Sequence, residues 1–230
     1  MIKNTKKRIA VFDIDGTIFR NSLLVELHWK MVKAGIIPKE SIAKLDKRYW
    51  EWVKRKGSYD DYLNEVIKSF NEFSVGQKVS AIKTLARKVV KNQSSIVYRY
   101  TRDLVEKLRK THLLIAISGS PKEIVEEFAK SWKFDHFVGT QHEIVGGKYT
   151  DGPKFIASQH KRAVLSGLVA SHGFTLKGSI GVGDTESDAG IFELVEKPIC
   201  FNPTSGLYKL AKKKKWRVVV ERKDMIYENI

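Results

Sequence analysis

Two aspartates, Asp13 and Asp15, stand one residue apart directly after the apolar run Ile9–Phe12, and Gly16 and Thr17 follow them. A short run of that kind reads as a buried strand of a parallel sheet. Carboxylates are tolerated only at the C-terminal end of such a strand, which is where open α/β sheets bind their ligands. A pair of carboxylates there can share a divalent cation, or divide nucleophilic and acid/base work between them. On its own Asp15-Gly16 is also an ordinary turn dipeptide. The residues further along the chain decide between the two.

Two later strand ends carry polar groups. Leu113–Ile117 runs into Ser118-Gly119-Ser120-Pro121. A hydroxyl beside backbone N–H groups at a helix start suits a phosphate, although Ser and Pro are also common helix-start residues. Ser179–Val182 runs into Gly183-Asp184-Thr185-Glu186-Ser187-Asp188. Asp184 and Asp188 span a strand-to-helix turn and can face one cation; acidic capping accounts for one of them more easily than for both. Lys161 lies near the start of the preceding helix, 23 residues before Asp184. By default a lysine there is a surface residue.

The elements that must position these groups follow from the hydrophobic pattern. Ile9–Phe12, Leu113–Ile117, Ser179–Val182, Pro198–Phe201 and Arg217–Val220 read as short buried strands. Helical patterns lie between the later ones: Pro121–Trp132, Ser158–His172 with Gly173 as its stop, Ser187–Val195 and Ser205–Lys214. The alternation predicts an α/β fold, a doubly wound parallel sheet with right-handed crossovers. A small hairpin is expected around Gly146-Gly147.

Residues 21–94 differ. Leu23, Leu24, Leu27 and Met31 recur at helical spacing, Gly35 is suited to end that helix, and Pro38 to begin the next. Ser58 with Asp61 reads as a capping-box variant, and Ser74–Gln93 is a further amphipathic stretch. The expected division is an α/β core of residues 1–20 and 95–230 with an all-helical insert at 21–94. Its two connections to the core leave and enter beside Asp13 and Asp15. A lid so placed covers the site and excludes water.

Composition bounds the answer. Of 230 residues 42% are apolar, enough for a packed core. The one cysteine, Cys200, forms no intrachain disulfide and fits a reducing compartment. No apolar run approaches the ~18 residues of a membrane span. The basic start Met1–Arg8 is followed only by Ile9–Phe12, short of the ~7–15 residues of a signal core, so a cytoplasmic protein is expected. A net charge of +16, with clusters at Lys6–Arg8 and Lys212–Lys215, favours anionic partners: phosphorylated metabolites, nucleic acid or anionic membrane surfaces. No zinc-finger spacing and no aromatic-glycine pattern of an RNA-binding sheet accompanies it. The charge therefore reads as a solvated surface rather than a specific nucleic-acid site, and nucleic acid is not the expected partner. Scattered histidines and a lone cysteine argue against a transition metal.

Taken in order and spacing, Asp13-Ile14-Asp15-Gly16-Thr17, Ser118, Lys161 and Gly183-Asp184…Asp188 resemble the four motifs of the haloacid dehalogenase (HAD) superfamily of phosphohydrolases. The helical insert resembles that family's type-one cap. The tail Asn202-Pro203…Leu207…Leu210-Ala211…Trp216 is similar to subfamily IB, the branch that includes phosphoserine phosphatases. The resemblance implies a Rossmann-like core and a phosphomonoester hydrolase working through an aspartyl phosphate. It implies Asp13 as nucleophile and Asp15 as general acid/base. It implies Mg²⁺ held by Asp13, the backbone carbonyl of Asp15 and Asp184, with Asp188 in support. Lys161 would neutralise Asp13 and a phosphate oxygen, and the Ser118 hydroxyl and Gly119 N–H would hold the other phosphoryl oxygens.

The substrate is less defined. Phosphoserine phosphatases of this branch carry a glutamate nine residues after the nucleophile to bind the amine; here that position is Ser22, with Glu26 one helical turn later. Ser187 and Ser120 also depart from the pattern. These departures weigh against phosphoserine itself. Trp29, Arg48, Tyr49, Trp50, Trp52 and Arg55 either line a pocket for a larger or more anionic substrate or form the insert's core and solvated face. Two other readings are a phosphatase of a lipid head-group or nucleotide phosphate, and a non-catalytic anion- or nucleic-acid-binding protein on the same scaffold. Four intact motifs count against the last.

Overall fold

Eight strands make one sheet among the residues described by the computed structural model, 7–228. They are β1 (Arg8–Phe12), β2 (Leu113–Pro121), β3 (His136–Val145), β4 (Lys148–Phe155), β5 (Thr175–Gly183), β6 (Lys197–Phe201), β7 (Arg217–Arg222) and β8 (Met225–Glu228), in the order β4-β3-β2-β1-β5-β6-β7-β8. All pairings are parallel except the two at the edges, β3 with β4 and β7 with β8. The basic residues Met1–Lys6 lie outside the described residues.

β1 is central because it is apolar on both sides. Ala10 and Phe12 enter one hydrophobic cluster, Ile9 and Val11 the other. β2 divides in the same way, Leu114 and Ala116 against Ile115 and Ile117. This two-residue alternation, with no polar member, is what a sheet covered on both faces requires. One face is covered by α1 (Leu23–Lys33), α3 (Tyr59–Ser74), α4 (Val79–Gln93), α5 (Arg99–Leu108) and α6 (Lys122–Ser131). The other is covered by α7 (Lys161–His172), α8 (Ala189–Phe192) and α9 (Ser205–Lys214). The remaining helix, α2 (Ala43–Val53), buries Leu45 alone. No helix among the described residues is long and apolar enough to cross a membrane.

The helices between β1 and α5 do not own a separate core. Leu27, Met31, Val66, Phe70 and Ile82 belong to the same cluster as Phe12 and Phe128. α4 is also tied to α6 by Lys83–Glu126 at 3.0 Å and Arg87–Glu127 at 3.1 Å. The turn between α3 and α4 pairs with the hairpin through Gly76 N–H to Tyr149 C=O (2.8 Å) and Val79 N–H to Gly147 C=O (3.0 Å).

Several boundaries differ from the pattern reading, each for a local reason. β2 stays extended through Ser118–Pro121 because Pro121 pairs beside Thr140 and the serine side chains find acceptors in Asp15. The hairpin is far longer than Gly146-Gly147 suggests. β3 carries polar residues toward solvent and so lacks an apolar run. β8 is unanticipated for the same reason: it is an exposed edge strand. The stretch Ser74–Gln93 splits at the turn around Gly76, whose φ is +79°. Pro38 precedes a 3₁₀ turn (Lys39–Ile42) instead of opening an α-helix. The helices expected from Ser158 and Ser187 begin as 3₁₀ turns, Ala157–His160 and Glu186–Asp188.

The Ser58 capping box is present: Asp61 N–H donates to Ser58 Oγ at 3.0 Å, and Ser58 N–H to Asp61 Oδ2 at 3.4 Å. Ser58→Ala is expected to lower unfolding stability by about 1 kcal/mol in urea titrations. A change below about 0.3 kcal/mol contradicts a role for this cap in holding α3.

Candidate active site

The sheet changes winding direction at β1. The chain leaves it for β2 and β3 on one side and returns to β5, β6 and β7 on the other. A crevice forms at such a point, beyond the carboxyl ends of the strands. Phe12 pairs with Ala116 of β2 and Val182 of β5, so the residues after each of these strands meet there. Asp13 N–H still donates to Val182 C=O at 2.9 Å, which fixes the first carboxylate against β5.

The buried ammonium of Lys161, the first residue of α7, joins the groups. Its Nζ donates to Asp13 Oδ1 at 2.6 Å and to Asp188 Oδ1 at 2.5 Å. Lys161, Asp13 and Asp188 are 3%, 5% and 0% exposed, so this is an interior ion triad and not a solvated face. Asp188 Oδ2 accepts from the N–H groups of Asp184 and Thr185, both at 3.1 Å. Asp184 in turn accepts from Thr17 Oγ1 at 3.1 Å. Carboxylate oxygens of Asp13, Asp184 and Asp188 lie within 4.8 Å of one another. Three carboxylates face one ammonium, and every donor is a hard oxygen. That donor set and its excess negative charge fit a divalent cation such as Mg²⁺.

Asp15 points elsewhere. Its Oδ2 accepts from Ser118 Oγ (2.6 Å) and Ser120 Oγ (2.9 Å), and its Oδ1 from Leu23 N–H (2.5 Å) at the start of α1. Its side chain therefore stands outside the three-carboxylate group and joins α1 to the end of β2. Ser120 also accepts from Leu24 N–H at 3.0 Å. Ser118 is fully buried, and Gly119 C=O accepts from Thr140 Oγ1 at 2.7 Å. Thr17 and Ser120 were not singled out from the sequence as site residues. Thr17 closes the first motif and Ser120 stands two positions after Ser118, and the hydroxyl of each is its signal in the sequence.

Burial lifts Asp13 to about 7, reinforced by Asp188 and Asp15 and opposed by Lys161. Burial also raises Asp15, against the hydrogen bonds from Ser118, Leu23 and Ser120. Asp184 is raised well above the usual carboxylate range by burial and by the neighbouring Asp13 and Asp188. Burial alone would favour neutral Lys161, but Asp13 and Asp188 outweigh it and hold the ammonium above its ordinary value.

Two glycines are dictated by close approach. A Cβ at Gly16, where φ is +76°, would collide with the Asp184 carboxylate, and one at Gly183 with that of Asp188. Ser22 is buried and caps α1, accepting from Val25 N–H at 3.5 Å. Glu26 has both oxygens engaged, by Asn21 Nδ2 (2.6 Å) and Gln93 Nε2 (2.7 Å). The aromatic residues of the insert divide. Trp50 faces outward, 54% exposed, whereas Tyr49, Trp52, Tyr59 and Tyr62 pack ring against ring at 5.0–6.2 Å.

Lys161→Met leaves two buried carboxylates without their counter-charge. The expected loss of stability is about 3 kcal/mol near pH 8, measured by urea unfolding in chelator. The deficit should shrink toward about pH 7. Asp13 sits near 3.8 when unperturbed and at about 7 in the fold, and loss of the ammonium raises it further. As pH falls toward 7 the folded variant takes up a proton that the folded wild type does not yet hold, and so its deficit shrinks; below that value both hold it and the deficit levels off. A deficit that is flat or grows on acidification contradicts the ion-triad description.

The profile of the haloacid dehalogenase-like hydrolases matches residues 10–193, which include every residue of this cluster. No curated protein matches the chain. Among solved structures the chain is similar to a protein of unknown function from Bordetella pertussis Tohama I, at 18% identity over 93% of this chain and 98% of that one, with a TM-score of 0.72. It is similar to a phosphoserine phosphatase in the form of a phospho-aspartyl intermediate analogue, at 17% identity over 96% of each chain and a TM-score of 0.61. It is also similar to a phosphoserine phosphohydrolase-like protein from Francisella tularensis subsp. tularensis SCHU S4, at 14% identity over 94% of this chain and 95% of that one, with a TM-score of 0.55. At these identities the structural likeness concerns the fold, while the profile spans most of the sequence: the chain belongs to the haloacid dehalogenase-like hydrolases.

Proposed function

We propose that the protein is a Mg²⁺-dependent phosphatase that hydrolyses a small phosphomonoester through an aspartyl phosphate on Asp13. The observation that carries this reading is the buried ammonium of Lys161 held between Asp13 and Asp188 at 2.6 and 2.5 Å, beside Asp184. A carboxylate attacking a phosphate dianion meets charge repulsion. Catalysis must therefore come mostly from neutralisation and positioning.

Mg²⁺, held by Asp13, Asp184 and the main-chain carbonyl of Asp15 with Asp188 in support, would neutralise phosphoryl charge and favour ionised Asp13. Lys161 keeps the Asp13 carboxylate charged and fixed, and offers its charge to a phosphate oxygen. The Asp13 carboxylate oxygen forms a bond to phosphorus as the ester P–O bond breaks. Asp15, whose neutral form burial favours, gives its proton to the departing alkoxide. The resulting carboxylate then takes a proton from water, whose oxygen attacks phosphorus. Inorganic phosphate departs and Asp13 is regenerated. The Gly119 N–H, and the Ser118 hydroxyl once it turns from Asp15 to the substrate, would serve as donors to phosphoryl oxygens. The helices α1–α4 form the lid that keeps bulk water from the acyl phosphate. The phospho-aspartyl intermediate analogue of a phosphoserine phosphatase with a similar fold supports the nucleophile assignment. Ser22 in place of an amine-binding glutamate argues against phosphoserine.

Hydrolysis of p-nitrophenyl phosphate tests the reading. Activity is expected with Mg²⁺ and not with a chelator. Asp13→Asn and Asp15→Asn should each lower kcat roughly 10³-fold, with circular dichroism unchanged. Lys161→Ala should lower it roughly 10²-fold. Turnover retained by folded Asp13→Asn, or no ester hydrolysed by the wild type with Mg²⁺, overturns the proposal.

A further inference from the structure

One helix of the lid turns an apolar stripe to solvent. The inner side of α2 is settled: Leu45 is buried, and Trp52 stacks on Tyr62 (centroids 6.2 Å apart, 3° from parallel) and meets Tyr59 at 5.0 Å. The outer side is not covered by any of the described residues. Trp50 is 54% exposed and Val53 43%, and Ala43, two helical turns before Trp50, is exposed in line with them. Single exposed apolar side chains are ordinary, but three on one stripe of an 11-residue helix make a surface.

Positive charge frames that stripe. Lys47 and Lys54 stand about one turn before and after Trp50 on the same side, both exposed and neither ion-paired with a described residue. Residues 39–56 carry seven Lys and Arg against three acids. Two of those acids, Asp46 and Glu51, are half-buried, and Glu51 is paired with Arg48 at 2.8 Å. A second copy of the chain would bring like charge to like charge, in a molecule of net charge +16. A nucleic acid would answer the charge and offer Trp50 a base to stack on, but Val53 and Ala43 have neither a ring nor a polar group for it, and the flanks are lysines rather than forked guanidiniums. An anionic bilayer answers both halves. Its headgroups take the ammoniums, its acyl boundary takes the apolar stripe, and lysine stems lie along that stripe while their charges rise to the headgroups.

We propose that α2 of the lid docks on an anionic lipid bilayer, with Trp50 and Val53 entering the boundary between headgroups and acyl chains and Lys47 and Lys54 holding the headgroups. The inference concerns where the protein sits and is independent of the phosphatase reading. α2 is suited to the role because it contributes so little to the core: its outer face can leave water without disturbing the packing of α1, α3 and α4.

Co-sedimentation of the full chain with vesicles of phosphatidylcholine, alone or mixed equally with phosphatidylglycerol, tests this. At low salt the wild type is expected to bind the mixed vesicles about tenfold more tightly than the neutral ones, and high salt should weaken that binding. Brominated acyl chains should quench wild-type tryptophan fluorescence. Trp50→Ala and the double variant Lys47→Glu/Lys54→Glu should each weaken binding about tenfold, with circular dichroism unchanged. Lys209→Glu/Lys213→Glu, an exposed pair on α9, alters net charge by the same amount and should cost less than about threefold. Equal losses from the two lysine pairs overturn the proposal, since net charge alone would then explain adsorption. Wild type that ignores anionic vesicles, or Trp50→Ala that binds them as tightly, also overturns it. A single-stranded oligonucleotide bound more tightly than vesicles and lost in Trp50→Ala would assign the face to nucleic acid, and a lipid-free dimer lost in the same variant would assign it to a second copy.

Discussion

A single buried ammonium organises this molecule's site. Three carboxylates cannot share an interior unless cations answer their charge, because desolvation and mutual repulsion both oppose ionisation. Lys161 answers part of it from 2.6 and 2.5 Å, and in doing so fixes Asp13 and Asp188 relative to one another. The charge left over makes the cluster suited to a divalent ion. Burial, with that excess charge behind it, lifts Asp13 and Asp184 above the usual carboxylate range. Stability and reactivity are thus opposed here: the arrangement that suits phosphoryl transfer is costly to fold.

The scaffold meets that cost through its layers. β1 and β2 send alternate side chains into two separate apolar clusters, so the strand ends that carry Asp13 and Ser118 cannot slide without reversing both faces. Lys161 stands at the head of a helix on one face, while Asp15 reaches the first lid helix on the other through Leu23 N–H. The site is the place where the two layers meet beyond the carboxyl ends of the central strands. The lid helices share the sheet's own core through Leu27, Val66 and Phe70. α4 is bound to α6 and to the hairpin, whereas α2 buries only Leu45. The lid is therefore firmly rooted on its α4 side and lightly held at α2.

Much of this was legible in the sequence wherever chemistry breaks a pattern. Charges that interrupt an apolar run marked the end of β1, and Gly183-Asp184 did so for β5. Lys161 was visible only by its place in the order of motifs, since a lone lysine on a helix carries no signal of burial. Helical spacing marked residues 21–94 as helical, but the core these helices share with the sheet was not legible, because which face of Val66 or Phe70 meets Phe128 is decided by tertiary packing. β8 and most of β3 and β4 were hidden, as edge strands wear polar residues on their solvent side. Glu26, weighed as a stand-in for an amine-binding acid, is occupied by Asn21 and Gln93, partners that spacing does not reveal.

The central claim is that the triad around Lys161 makes Asp13, and no other carboxylate, the acceptor of the phosphoryl group. Rapid quenching during turnover, followed by borohydride reduction, converts an aspartyl phosphate to homoserine, and peptide mass spectrometry locates it. The account predicts homoserine at position 13 with substrate and Mg²⁺ together, and none when either is withheld. Turnover with homoserine at Asp15, Asp184 or Asp188, or with no reduced aspartate at all, would contradict it.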